Sequence, residues 1–523
     1  MKVYQTFRTI LVSIVILFFH NSIFSQKYKE MMNDNSFNFY DVVKEAESYF
    51  KTIDVTKKGS GYKQFMRWAV GNEYKYYPSG DRLAVDPEFV IKAYKKNLSS
   101  KQDQSSTTVL TNGWREIGPF AINNITGHYA AGMGRVEDFY VNPNNKQQIY
   151  SCSRSGGLWK TENEGATWYS LSTETLVASG VNSIAVNPSD FNHIYIALQN
   201  ARNNYSYGIY ESSNGGESFT ETGFNPTNLG LGGLGSNFKI YTVKHHPTIE
   251  DFLVVGTSNG LYITLNNFSS WTKIVDSGQF IQVEFHPTND AIFYAYNTSQ
   301  RNLVYVYNSL NNDYSTTTIN SNNNNLATIA VTENAPDYIY FASSSGIFRS
   351  TNSGLNFSFI SNSFNNISNI GTDAFAVSSS NYQNLLIGGV DAANSTNGGL
   401  SFTKRTDWYL GSSLHGNGSL EENYFNSTAY VHADLRIAKS IDGLFYVGTD
   451  GCLAKSEDGG VTWQNLMQIN APPIRENYKL GISQSHNKVA ISGSQDNGTS
   501  IKKPTEWVEA YGADGMEGIV LPL

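Results

Sequence analysis

The sequence predicts an all-β fold, a β-propeller of seven to eight four-stranded blades preceded by a short helical segment. Two observations carry this expectation. First, a short phrase returns six times: a small hydroxyl residue, Asn or Asp two positions on, Gly two further, then Ser or Thr beside an aromatic. The copies are TENEGATW ending at Trp168, SSNGGESF at Phe219, TLNNFSSW at Trp271, STNSGLNF at Phe357, STNGGLSF at Phe402 and SEDGGVTW at Trp463, and they drift at single positions. Second, the aromatics stand 51, 52, 86, 45 and 61 residues apart, and a period of about 40 to 50 residues with four short strands per unit belongs to propellers. The 86-residue gap is nearly twice the others, so a worn copy is expected inside it, at Ser309–Ser315.

Each phrase reads as a turn that satisfies itself. The Asn or Asp side chain folds back on nearby amides, Gly takes the left-handed conformation, and the aromatic fills a gap between strands. Asn163, Asn214, Asn266, Asn352, Asn397 and Asp458 are therefore expected to be structural. In the first unit VEDFYVNP, QIYSCS, GLWKT and TWYSLS read as strands A to D, with the phrase between C and D. The A strands continue as VNSIAVNP, IYTVKHHP, FIQVEFHP, LATIAVTE, TDAFAVSS and DLRIAKS, and an eighth unit without the phrase ends at Tyr511. Eight units allow one ring of eight, or a ring of seven whose chain has begun another propeller.

The ends read differently. Residues 1–25 carry Lys2 and Arg8, the apolar run ILVSIVILFF and then polar NSIFS, a secretory signal layout whose apolar core is shorter than a membrane span needs. Residues 26–98 form a helical lead-in: DVVKEAESYF, GYKQFMRWAV and DPEFVIKAYKKNL space apolar residues for helices, with Asp86 and Pro87 as a start signal. Residues 99–112 are a polar linker, and 113–523 the propeller, with Trp114 to Pro119 as a closing strand. Removing the signal moves the net charge from −8 to −10, which disfavours a nucleic-acid partner. A secreted or cell-surface monomer with no transmembrane span in the mature chain is expected. Cys152 and Cys452 both fall in or just after a B strand and are either unpaired and buried or, if the ring closes after seven units, bridged.

The spacing Ser-x-Asp-x-Gly-x-Thr-Trp resembles the Asp-box, or BNR repeat, of secreted propellers. From Trp114 onward the phrases WREIGPF, GMGRVEDFYVNP, SGGLWKTENEGATW, VHADLRIA, YVGTDGCLAKSEDGGVTW, GSQDNGTSI and GADGM resemble the sortilin-like and xyloglucanase-like superfamily of glycosyl hydrolase relatives, in its Bacteroidetes form. The resemblance implies architecture far more than activity, because that superfamily holds glycoside hydrolases, peptide-binding receptors and members without known activity. It also implies a longer chain with a C-terminal sorting domain, so truncation soon after GADGM is an expectation, and Cys452 departs from the usual Asp-Gly-Gly at Asp450-Gly451.

Strand order assigns the repeated phrases to one face of the disc and the B–C and D–A loops to the other. On that second face the loops supply Arg135, Arg154, Asp391, His432, Asp434, Asp450, Asp496 and Asp514. Asp450 and Asp496 occupy equivalent loops of successive units and are the first catalytic pair to consider for glycosidic hydrolysis, with Asp434 and Asp514 as alternates. Asp434, Asp450, Asp496 and Asn497 offer hard oxygen ligands for calcium, so the cofactor expectation is none or Ca2+. The third reading is that these residues cap turns beside Gly. The insertion from Thr406 to Tyr430 adds Trp408 and Tyr409, which with Arg135, Arg154, Asp391 and His432 are the ligand-binding candidates. Arginine is too sparse for a sialidase clamp, and no GxSxG, HExxH or phosphate loop occurs. A binding module or scaffold for extracellular polysaccharide or peptide is the expectation, with a glycoside hydrolase as the alternative.

Overall fold

The computed structural model describes residues 27–84, 89–102, 116–127, 132–234, 236–320, 327–364, 367, 370–371 and 373–521. The signal reading of residues 1–25 lies outside them, as do Asp86, Pro87, Trp114 and most of the polar linker. The chain divides into two compact units between residues 104 and 105.

In the first unit, α1 (Lys27–Asn33) is a helix the spacing did not mark, and α2 (Phe39–Phe50), α3 (Tyr62–Tyr76) and α4 (Phe89–Gln102) fall on the three stretches with helical spacing. Asn38 caps α2 by accepting from the Tyr40 amide at 2.9 Å, and Tyr28, Ala46, Phe50 and Phe65 form the core. Arg82 is buried because its guanidinium closes the end of α1, donating to the carbonyls of Met31, Met32 and Asp34 at 2.7 to 2.8 Å. α4 runs four residues past the expected boundary at Leu98, into Ser and Lys positions read as linker.

The second unit holds eight antiparallel four-stranded sheets. The first contains β1 (Val136–Val141), β2 (Ile149–Ser153), β3 (Gly157–Thr161) and β4 (Tyr169–Leu171), and the second β5 (Gly180–Asn187), β6 (Asp190–Gln199), β7 (Ser206–Ser212) and β8 (Thr220–Glu221). The third has β9 (Ile240–His245), β10 (Leu253–Thr257), β11 (Gly260–Thr264) and β12 (Thr272–Val275), and the fourth β13 (Phe280–Phe285), β14 (Ile292–Asn297), β15 (Leu303–Asn308) and β16 (Asp313–Thr318). The fifth has β17 (Ala327–Val331), β18 (Ile339–Ser343), β19 (Gly346–Ser350) and β20 (Ser358–Ser361), and the sixth β21 (Phe375–Val377), β22 (Leu385–Gly388), β23 (Ala392–Ser395) and β24 (Thr403–Lys404). The seventh has β25 (Leu435–Ile441), β26 (Leu444–Thr449), β27 (Leu453–Ser456) and β28 (Gln464–Asn465), and the eighth β29 (Asn477–Ile482), β30 (Ala490–Ser494), β31 (Thr499–Lys502) and β32 (Trp507–Tyr511).

Inner strands β1, β5, β9, β13, β17, β21 and β25 pack in succession, and β25 returns to pack on β1, so seven blades close a ring. The seam is polar and apolar at once. Trp168 donates its indole N–H to the Leu466 carbonyl at 3.1 Å, Lys439 meets Asp138 at 2.6 Å and Lys455 meets Glu164 at 2.6 Å, over a core that includes Val136, Phe139, Tyr446 and Leu453. Trp114 and Arg115 of the expected closing strand Trp114–Pro119 lie outside the described residues, and residues 117–127 follow. They run beside β32 of the eighth sheet, with Asn123 bridging Val508 and the Trp507 indole donating to the Ile117 carbonyl at 2.8 Å. Cys152 and Cys452 are free and buried.

Central strands such as β2, β3, β10, β11 and β18 are buried at every position, because blades press on both their faces. One B-strand register recurs as Tyr150, Tyr195, Tyr294, Tyr340 and Tyr446, opposite Tyr140, Ala185, Glu284, Ala330 and Lys439 of the A strands. Where these rings reach the next blade they anchor it: Tyr150 donates to the Phe191 carbonyl at 3.3 Å and Tyr340 to the Tyr382 carbonyl at 3.0 Å.

The repeated phrase sits at C–D turns and is bonded as its chemistry dictates. In the first, the Thr161 hydroxyl donates to Asn163 Oδ1 at 3.0 Å and accepts from the Gly165 amide at 2.9 Å, while Asn163 Oδ1 accepts from the Thr167 amide at 2.8 Å. The same hydroxyl-to-Asn or hydroxyl-to-Asp bond holds Asn214, Asn266, Asn352, Asn397 and Asp458. At Ser309–Ser315 the turn between β15 and β16 keeps the place but not the bonds, since there Tyr307 donates to Asn312 Oδ1 at 2.5 Å.

The channel carries a charged ring. From equivalent A-strand positions Lys244, Glu284 and Lys439 project with Tyr140, Ala185, Ala330 and Ala376, and Asp138, Gln282 and Asp373 join them. Burial pushes the Asp373 carboxyl up to about 8, with Lys244 pulling it down and Glu284 pushing it further up. Burial also acts on Asp138, yet Lys439 and Lys244 hold its carboxyl below the usual range.

Two outcomes follow from this packing. Thr161→Val leaves the buried Gly165 amide unpaired and is expected to lower unfolding free energy by about 1–3 kcal/mol, read from a denaturant midpoint at unchanged slope. Because the Asp373 carboxyl keeps its proton after an unfolded carboxyl has lost it, its contribution to stability is present below about pH 4 and is lost as pH rises toward about 8. Asp373→Asn retains a polar group opposite Gln282 and removes that loss, so its melting temperature should exceed the wild type more at pH 8.5 than at pH 5.

Candidate functional site

The rim opposite the repeated turns is built by bulges. At the start of β1, β5, β9, β13, β25 and β29 the pairing register slips, leaving one extra residue: Glu137, Asn182, Tyr241, Ile281, Arg436 and Tyr478. A bulge re-aims the side chain it inserts. Two of these, Glu137 and Arg436, complete the charge lattice at the junction of blades one and seven with the eighth sheet.

Asp450 lies at the centre of that lattice and is 2% exposed. Arg436 grips it with both prongs, Nε donating to Oδ1 at 2.6 Å and Nη2 to Oδ2, and Arg135 Nε stands 3.5 Å from Oδ1 while its Nη2 pairs with Glu137 at 3.0 Å. A fork of this kind matches carboxylate geometry and orients it. Beside it, Arg154 Nε donates to the Ala201 carbonyl at 3.0 Å and faces Glu476 Oε1 at 3.9 Å. Burial pushes the Glu476 carboxyl up, opposed by Arg154 and Arg135.

Asp496 stands next to this group at a left-handed φ of 54°. Burial first, then the Asp450 and Asp514 carboxylates, push its carboxyl above the usual range. Asp514 accepts from the Asp496 amide at 3.1 Å. Asp450 and Asp496 are thus brought together, but in different states of engagement: Asp450 has both oxygens in an arginine fork, whereas Asp496 is raised and near the rim. Asp434, at φ 60°, adds its charge beside Arg436.

Several expected ligand groups hold structure in place. His432 directs Nδ1 to the Ala433 carbonyl at 3.1 Å and Nε2 to the Asp496 carbonyl at 3.0 Å, tying blade seven to the eighth sheet. Gly451 lies flat on this ring, and a Cβ there would come within 2.1 Å of it. Asp391 binds Lys404 at 2.9 Å and accepts from the Trp408 amide at 3.1 Å, so it fixes the root of the insertion. Trp408 packs with Leu420, Phe425 and Ile125 around buried Leu410, Tyr424 and Tyr430, beside α5 (Leu420–Asn426), whose capping box joins Ser419 and Glu422. Tyr409 is 38% exposed at the edge of this small core.

The expected calcium set does not assemble. Among the described residues no three His, Cys, Asp or Glu side chains form a group that could hold a metal ion. The reason is visible locally: the Asp450 oxygens are taken by Arg436, and Asn497 turns its amide N–H toward the Asp450 carbonyl at 2.9 Å. Glu137, Arg436 and Glu476 were missed by sequence reasoning. The first two lie inside strand-like runs, and only the bulge turns them to the rim.

No family model and no curated protein matches the chain. Among solved structures it is similar in fold to an ancestral GH74 enzyme, at 17% identity and TM-score 0.51, over 76% of this chain and 55% of that one. The GH74 xyloglucanase from Xanthomonas campestris aligns at 15% identity and TM-score 0.49, over 71% and 59%, and YCF48 bound to D1 peptide at 14% and 0.43, over 62% and 94%. The chain therefore spans between half and three-fifths of the length of these two GH74 structures. The similarity to the ancestral GH74 enzyme shows the fold alone, a β-propeller.

Asp450 is buried while Arg436 is partly exposed, so losing the fork leaves the carboxylate with Arg135 alone. Arg436→Met is expected to cost about 1–3 kcal/mol, measured by denaturant unfolding, with a smaller loss for Arg436→Lys, which keeps the charge but loses the fork.

Proposed function

We propose that this protein is a secreted or cell-surface Asp-box propeller of the sortilin-like and xyloglucanase-like type that holds an extracellular glycan or peptide on the rim, as a binding module or scaffold without turnover. The carrying observation is the engagement of Asp450: its two oxygens are held in the Arg436 fork with Arg135 beside them. A carboxyl so held is poor at passing a proton to a leaving oxygen, yet it fixes two guanidinium groups where ligand hydroxyls, carbonyls or carboxylates can meet them. Tyr409 and the partly buried Trp408 of the insertion give flat apolar surface for a sugar ring or a peptide side chain. The secretory layout of residues 1–25 supports the location, and no described helix is long and apolar enough to cross a membrane.

A second reading has its own observation. Asp496 and Glu476 both have carboxyls raised first by burial and then by the Asp450 carboxylate among others, and their backbones adjoin, the Gln495 amide donating to the Glu476 carbonyl at 2.8 Å. A raised carboxyl is what an acid catalyst needs, and a glycoside hydrolase would use Asp496 in that role.

Arrays of oligosaccharides and peptides, followed by titration of the hits, separate the two. The binding reading predicts saturable retention with no cleavage product after prolonged incubation, and at least about tenfold weaker binding in Arg154→Ala, the loss of one charged contact. Product release that disappears in Asp496→Asn while binding persists would replace it with the hydrolase.

A further inference from the structure

The far end of the channel, at the A–B turns, opens into a cavity of about 390 Å³ that the rim does not use. Six apolar residues, Val141, Val186, Phe285, Val331, Val377 and Ile441, line its mouth beside exposed Glu333 and several hydroxyl side chains, and its floor is the charged ring. Three carboxyl groups face two ammonium groups there. Lys439 pairs with Asp138 at 2.6 Å, and Lys244 faces Glu284 at 3.7 Å. Asp373 is left over: among the described residues its hydrogen bond is from the neutral Gln282 amide, at 2.7 Å.

We propose that this cavity binds one singly charged ammonium group carried on an apolar stem, an alkylamine or a lysine side chain, with Asp373 and Glu284 as its counter-charges. The charge count supports the sign. A ligand carboxylate would become a fourth negative group beside Glu284 and Asp373, whereas one added cation brings the ring to three against three. The apolar funnel supports the stem, because a bare hydrated ion gains nothing from six aliphatic and aromatic walls.

Burial first, then the Glu284 and Asp138 carboxylates against the pull of Lys244 and Lys439, push the Asp373 carboxyl up to about 8, so it keeps a proton at neutral pH. Binding the ammonium group expels that proton, one for one, and no other bond changes. The charged groups acting on Asp373 are Asp138 on β1, Lys244 on β9, Glu284 on β13 and Lys439 on β25, while His245 at the end of β9, His286 just after β13 and exposed Glu333 after β17 also line the cavity. Burial keeps His245 and His286 below the usual imidazole range, so Asp373 is the group that changes charge between pH 6 and pH 8. The site lies at the opposite end of the channel from the rim and stands or falls separately from the binding reading given there.

The test is calorimetric titration of the full chain with n-hexylammonium and with Nα-acetyl-lysine amide, in paired buffers of different ionisation enthalpy, from pH 6 to pH 9. Expected are close to one proton released per ligand at pH 6 and affinity rising about tenfold per pH unit up to about pH 8, then level. The tighter of the two probes tells a free amine from a protein lysine. Asp373→Asn should abolish the pH dependence and weaken binding at pH 8.5, and Glu284→Gln should weaken it with the proton release retained. Absence of binding at millimolar ligand, pH-independent binding by the wild type, or equal binding of hexanol or hexanoate would each overturn the proposal.

Discussion

Everything in the larger unit depends on the closure of blade seven on blade one. A stack of twisted four-stranded sheets has two open ends, and each end blade exposes a face that its neighbours would bury. Among the described residues that face is covered without exchanging a strand. Trp168 reaches across to the Leu466 carbonyl, and Lys439 and Lys455 reach back to Asp138 and Glu164. Apolar contact supplies the adhesion, since Phe139, Trp159, Tyr446 and Leu453 belong to one core. The seam also brings Arg135 and Glu137 from the first blade against Arg436 and Asp450 from the seventh, so the rim lattice exists only because the ring is closed.

The two ends of the channel solve an electrostatic problem in different ways. At the rim, Asp450 is matched by two guanidinium groups, and the surplus carboxyls Asp496 and Glu476 are driven up by burial. At the A–B end the carboxyls outnumber the lysines, and Asp373 absorbs the difference. Buried charge of this kind does little for stability by itself. Its presence in a channel that aliphatic side chains could have filled is the reason to assign it to recognition.

The blades were legible because the repeated phrase encodes its own bonds. A hydroxyl at Thr161, an amide at Asn163 and a glycine at Gly165 specify one turn, and five more copies specify the period. The worn copy at Ser309 was legible from spacing alone. Blade count was not, because nothing in the eighth unit's strands says whether they join the ring; that is decided by the fit of β25 to β1. Nor was the course of residues 117–127 legible, which run beside β32. Loop counting put Asp450, Asp496 and Asp514 on one rim, where the structure has them as neighbours, but it gave Asp450 no arginine partner. Its partner Arg436 sits within the run DLRIAKS, where strict alternation gives no hint of the bulge that turns it outward.

The central claim is that the rim at the first and seventh blades, with the eighth sheet, is the recognition surface. The most direct measurement is a crystal structure of the full chain with the tightest-binding oligosaccharide or peptide. The account predicts an intact ligand bonded to Arg154 and Arg135 and lying against Asp496, with the Arg436–Asp450 fork unbroken. A ligand seated on the face of the repeated turns, or one cleaved beside Asp496, would contradict it.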